Sequence, residues 1–181
     1  ALDSSGKSVN DIHTAAGDII DSTAAGDFYG SFEQKLDDWK SDGTIVDWKA
    51  AAYDWRLSLD DILADESSAG VEQELRSLAS SSPSGKATII AHSNGGLVAK
   101  ALMEKLGGEA SELVDNVILV AVPQSGAPEA VGALLYGYDQ GISLLGIPLV
   151  HAATAREFGL NSPMLYHLLP SQKYFDDVSD S

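Results

Sequence analysis

Residues 87–96 read Ala87-Thr88-Ile89-Ile90-Ala91-His92-Ser93-Asn94-Gly95-Gly96. The first five form an uncharged, mostly apolar run of strand length, which predicts a strand covered on both faces as in a parallel sheet. A tight turn with two glycines follows. Behind it Val98, Leu102 and Leu106 fall at i, i+4 and i+8, with Leu97 and Ala101 beside them, and Gly107-Gly108 supplies a helix end. A second apolar run, Val117-Ile118-Leu119-Val120-Ala121-Val122, stops at Pro123. Strand, helix and strand make a parallel unit with a right-handed crossover, so the fold class is α/β: a mostly parallel sheet flanked by helices.

Upstream, Phe32, Leu36 and Trp39 recur at helical spacing until Ser41-Asp42-Gly43. Thr44 to Tyr53 is β-like through Ile45, Val46 and Trp48. Leu59, Ile62 and Leu63, then Val71, Leu75 and Leu78, predict a long helical region with Gly70 as its candidate break, closed by the turn at residues 80–85. The first thirty residues hold few large apolar side chains and predict at most short helical turns. Downstream, Gly126 to Tyr138 predicts a helix or helix pair opened by Ala127-Pro128-Glu129.

At 181 residues and 44% hydrophobic content the chain fits one domain with a real core. Twenty-seven Asp and Glu against eleven Lys and Arg give a formal charge of −16. Such a surface repels phosphate backbones and anionic membranes, so nucleic acid is a poor partner. The acidic ending Asp176 to Ser181 reads as solvated. The absence of cysteine excludes disulfides and thiol chemistry but leaves the compartment open, secreted bacterial-type and cytosolic settings both fitting. No stretch approaches the roughly 20 apolar residues a membrane-spanning helix needs. Neither a His-x-x-x-His pair nor a calcium loop occurs, so no metal or other cofactor is expected.

The chemistry centres on Ser93. A serine hydroxyl is a weak nucleophile, and acyl-transfer enzymes expose it on a strained strand-to-helix turn. There a base reaches it and the next backbone amide faces the developing oxyanion. Ala91-His92-Ser93-Asn94-Gly95 has that layout, with Ala91 where glycine is commoner. Ser93 is the candidate nucleophile, and Asn94 at the helix N-terminus the candidate oxyanion amide. The competing reading is a plain strand–helix turn in which Ser93 caps the helix.

Four segments together resemble the lecithin:cholesterol acyltransferase-like and PGAP1-like lipase family of α/β-hydrolases. They are Tyr53-Asp54-Trp55-Arg56, residues 91–96, Ala121-Val122-Pro123-Gln124-Ser125-Gly126-Ala127-Pro128, and residues 161–171 from Asn161-Ser162-Pro163 to Leu169-Pro170-Ser171. The resemblance implies an α/β-hydrolase fold acting on lipid-like or other small carboxylic esters through an acyl-Ser93 intermediate. It also implies a cap at residues 129–161, where Tyr136, Tyr138, Leu144, Leu145, Ile147 and Leu149 would contact an acyl chain or serve as ordinary core. Tyr53 and Trp55 are weak candidates for touching substrate, since an Asp–Arg pair beside a buried aromatic is more often structural.

The same resemblance places a catalytic acid and histidine after residue 171, where only Asp176, Asp177 and Asp180 stand and no histidine. It also places an apolar strand and a second oxyanion amide before Ser31, where neither is visible. The expectation is an incomplete hydrolase domain over residues 1–181 whose flanking segments lie elsewhere in the same protein, with little or no turnover by itself. His92 should point away from Ser93, and His13, His151 and His167 are poor substitutes for the base. Two other classes remain: a non-catalytic module of hydrolase fold, and an anion-binding strand–turn–helix, the latter without a full phosphate-binding motif.

Overall fold

A computed structural model of the chain describes residues 3–4, 22–23, 26–27, 29–65, 70–137, 142–144, 147–150 and 152–179. Two short strands, β1 (Ser22–Thr23) and β2 (Gly26–Asp27), pair antiparallel, so this part of the first thirty residues forms a β ladder where helical turns were expected. The periodic Phe32, Leu36 and Trp39 lie on α1 (Gly30–Ser41).

The β-like stretch from Thr44 to Tyr53 is not a strand. Side chains satisfy its backbone locally: Thr44 N–H donates to Asp42 Oδ1 at 2.9 Å and Trp48 N–H to Asp47 Oδ1 at 2.9 Å. Asp side chains compete with a ladder in this way, and β propensity without a neighbouring strand does not prevail. The Trp48 indole donates to Asp37 Oδ1 at 2.9 Å, tying the segment to α1.

The long helical region is two helices, α2 (Leu59–Leu63) and α3 (Val71–Ser81). Ser58 caps α2: its Oγ accepts from Asp61 N–H at 3.1 Å and donates to Asp61 Oδ2 at 2.8 Å. Gly70 is the extended residue before α3, as its candidate role as a break anticipated. Then comes the central unit: β3 (Ala87–His92), α4 (Gly95–Leu106), a short α5 (Ala110–Leu113) and β4 (Val114–Val120). β3 and β4 are parallel, with Ile90 opposite Ile118 and His92 opposite Val120.

Val98, Leu102 and Leu106 turn inward from α4 onto Ile62, Leu63, Leu75, Val114 and Met164 to form the core. Burying such side chains contributes about 1.5–3 kcal/mol each. Glu72 accepts from Arg76 and Lys105, and Arg76 also grips Glu109, so ion pairs stitch α3 to the end of α4. The predicted two-sided burial of the strands is half right. Ala91 and Val114 are buried, whereas Ile90, Ile118 and Val120 remain 45–47% exposed because no described element covers that face.

The remaining elements are α6 (Glu129–Tyr136), the antiparallel pair β5 (Ile142–Leu144) and β6 (Ile147–Val150), α7 (Ala152–Leu160), α8 (Pro163–His167) and α9 (Gln172–Ser179). The acidic ending is thus largely a helix, solvated as expected, with Lys173 paired to Asp177. Among the described residues no helix is long and apolar enough to cross a membrane.

Candidate active site

The turn between β3 and α4 holds Ser93 at φ +50°, a left-handed conformation that an L residue adopts only at a cost of about 1–3 kcal/mol. Two bonds fix it there: Ser93 N–H donates to Val120 O at 2.9 Å, and Ser93 O accepts from Gly96 N–H at 3.0 Å. The cap reading of Ser93 is not met. Asn94 is the residue that opens α4, no side chain caps the helix, and among the described residues Ser93 Oγ has no hydrogen-bond partner. The Asn94 N–H is likewise free among the described residues, while its carbonyl accepts from Leu97 and Val98. A half-buried, unengaged hydroxyl beside a free amide at a helix N-terminus is the arrangement that acyl transfer requires.

The strain is braced from β4. Ala121, the residue after that strand, is also left-handed at φ +49°. It leads to Val122, whose side chain occupies the space a Cβ on Gly96 would need. Helix and strand corner therefore meet more closely than any side chain at residue 96 permits.

Three rings surround the turn. His92 is exposed, and its Nδ1 pairs with Tyr29 Oη at 2.8 Å, the rings meeting edge to face. His92 is therefore occupied beside Tyr29 rather than paired with Ser93. Tyr53 lies against the first turn of α4, its hydroxyl 3.5 Å from where a Gly95 Cβ would stand. Burial, with the nearby Tyr29 adding a smaller push, raises the Tyr53 phenol to about 12. The Asn94 side-chain oxygen is buried and has no hydrogen-bond partner among the described residues.

The other three resembling segments interlock around this turn. Asp54 is buried and receives both Nε and Nη2 of Arg56 at 2.7 Å; these bonds hold its carboxyl below the ordinary value. The Arg56 carbonyl then accepts from Ser162 Oγ at 3.1 Å and Met164 N–H at 3.3 Å, which fastens the loop to the start of α8. On the far side Ala127 N–H donates to Leu168 O at 2.8 Å and Ser171 N–H to Ser125 O at 2.9 Å. Gly126, at φ +92°, lies so close to Leu169 and Pro170 that a Cβ there would stand 2.6 Å from Pro170 Cα. Trp55 points outward, 54% exposed, with its ring 5.8 Å from that of Phe158 on α7.

Tyr136 of the expected cap is exposed; Tyr138 and Leu145, like His13 and His151, lie outside the described residues. His167, Asp176 and Asp177 are exposed, on α8 and α9. No cluster of potential metal ligands occurs among the described residues. Sequence reasoning missed Tyr29, and it held Ala121 and Ser162 only as members of the resembling segments, without a role. Only Ser162 carried a signal, a serine before proline at a helix start; nothing local marks Ala121 for a left-handed turn or Tyr29 for a distant histidine.

The fold and the turn define an α/β protein with a strained serine between a parallel strand and its following helix. A model of the lecithin:cholesterol acyltransferase family matches residues 15–179, and the chain belongs to that family, one of acyltransferase and hydrolase type. Neither the curated proteins nor the solved structures give a significant match.

Proposed function

We propose that the chain is the serine-nucleophile core of a lipase, esterase or acyltransferase of α/β-hydrolase fold, acting on lipid-like carboxylic esters, with residues 129–161 as part of its cap. The observation that carries this reading is Ser93 in a left-handed turn with a free hydroxyl beside the free Asn94 amide. Ser93 Oγ attacks the ester carbonyl carbon and gives its proton to a base. The carbonyl oxygen becomes an oxyanion that accepts from Asn94 N–H; collapse expels the alcohol, and water or a second alcohol then takes the acyl group from Ser93.

No described histidine pairs with Ser93, so the proton has no acceptor of the usual kind among the described residues. We therefore propose that this polypeptide by itself turns over poorly. With p-nitrophenyl butyrate the expected rate is near background for the wild type and for Ser93→Ala, and added imidazole, an external base, raises the wild-type rate above the imidazole-catalysed blank while Ser93→Ala stays at that blank. Robust Ser93-dependent hydrolysis without imidazole would overturn the claim of poor turnover. A rescued rate equal in the two proteins would overturn the nucleophile. That no described histidine pairs with Ser93 is also what favours the second reading, a module that keeps the hydrolase fold without its chemistry.

A further inference from the structure

A tetrahedral adduct at Ser93 carries an oxyanion, and acyl-transfer sites place at least two donors around such an oxygen. Asn94 N–H is one. A second donor should be unpaired in the resting protein, protonated at neutral pH, next to the first turn of α4, and held rigidly.

Tyr53 meets each requirement. Its hydroxyl has no hydrogen-bond partner among the described residues, and it stands against Gly95, the residue that follows Asn94 on the first turn of α4. The burial that raises the phenol to about 12 keeps it an O–H donor throughout the neutral range. Its ring packs on the core cluster. The next residues are pinned by the Asp54–Arg56 pair and, through the Arg56 carbonyl, by Ser162 and Met164. Such anchoring far exceeds what a surface loop needs, and it matches what a preorganised donor needs, because a donor that moves loses its electrostatic advantage.

We infer that the Tyr53 hydroxyl is an oxyanion donor at Ser93, acting with the Asn94 amide and in addition to the backbone amide that the resemblance places before Ser31. The inference rests on the nucleophile assignment proposed above. It also gives the pinned Tyr53-Asp54-Trp55-Arg56 segment a purpose: its salt bridge holds the loop, and the loop aims the phenol.

The test is the saturation kinetics of a fluorophosphonate ester at Ser93, with imidazole supplied as external base, in the wild type and in Tyr53→Phe, which removes one oxygen and keeps the ring. The expected result is a maximal labelling rate lower by about 10²-fold, with half-saturation and melting temperature unchanged. Equal maximal rates would overturn the role of Tyr53 while leaving Ser93 as nucleophile. Absence of Ser93 labelling in both proteins would overturn the nucleophile and, with it, this inference.

Discussion

At the scale of single residues, the site is defined by backbone conformations that its side chains do not favour. Ser93 at φ +50° and Ala121 at φ +49° are left-handed without being glycine. Glycine bears no such penalty, so Ser93→Gly should stabilise the fold by about 1 kcal/mol while removing the proposed nucleophile, and Ser93→Ala should not. Urea unfolding of the three proteins measures this; equal midpoints for Ser93→Gly and Ser93→Ala would mean the turn is unstrained. Ala121→Gly should likewise stabilise, but by loosening the corner that holds Ser93 N–H it should also slow Ser93 labelling. The strained turn at Ser93 was legible as a strand–turn–helix pattern, whereas the Ala121 conformation was not, because its φ follows from how two strands end side by side rather than from the identity of Ala121.

At the scale of elements, the decisive contacts are between segments. A methyl on Gly96 would overlap Val122, so Gly96→Ala forces α4 off the β4 corner and should cost about 1–3 kcal/mol. Pairing it with Val122→Gly should restore much of the loss in a denaturation series; an undamaged Gly96→Ala would contradict the close approach. The Asp54–Arg56 pair has a pH signature. Arg56 holds the Asp54 carboxyl below its ordinary value, so the folded state binds that proton less readily than the unfolded chain. The stabilisation is therefore complete above the unfolded pKa of about 3.9 and lost as pH falls through the lower folded value. Asp54→Asn should cost about 2 kcal/mol at neutral pH and flatten the decline of melting temperature below pH 4. An equally steep decline in the variant would show that other carboxylates govern acid unfolding.

At the scale of the whole molecule, the central unit was readable because hydrophobic period and turn chemistry agree: residues 87–106 alternate from strand to glycine turn to amphipathic helix. The second strand was found as well, though it runs over Val114–Val120 rather than Val117–Val122. Thr44 to Tyr53 misled because β propensity is a matter of neighbours, and Asp42 and Asp47 offer the backbone a local alternative. Strand coverage misled because an apolar run reports what a strand can bury and not what lies over it. The convergence of residues 53–56, 121–128 and 161–171 on the Ser93 turn was visible only as likeness to a family, since their bonds join positions as much as 106 residues apart. What unites these scales is one claim, that the fold strains and braces Ser93 in order to expose a nucleophile. Its most direct measurement is peptide mapping by mass spectrometry after exposure to a fluorophosphonate ester with imidazole supplied as external base. The account predicts one phosphonyl group, on Ser93, absent from Ser93→Ala; a Ser93 left unmodified, or a label that persists in Ser93→Ala, would contradict it.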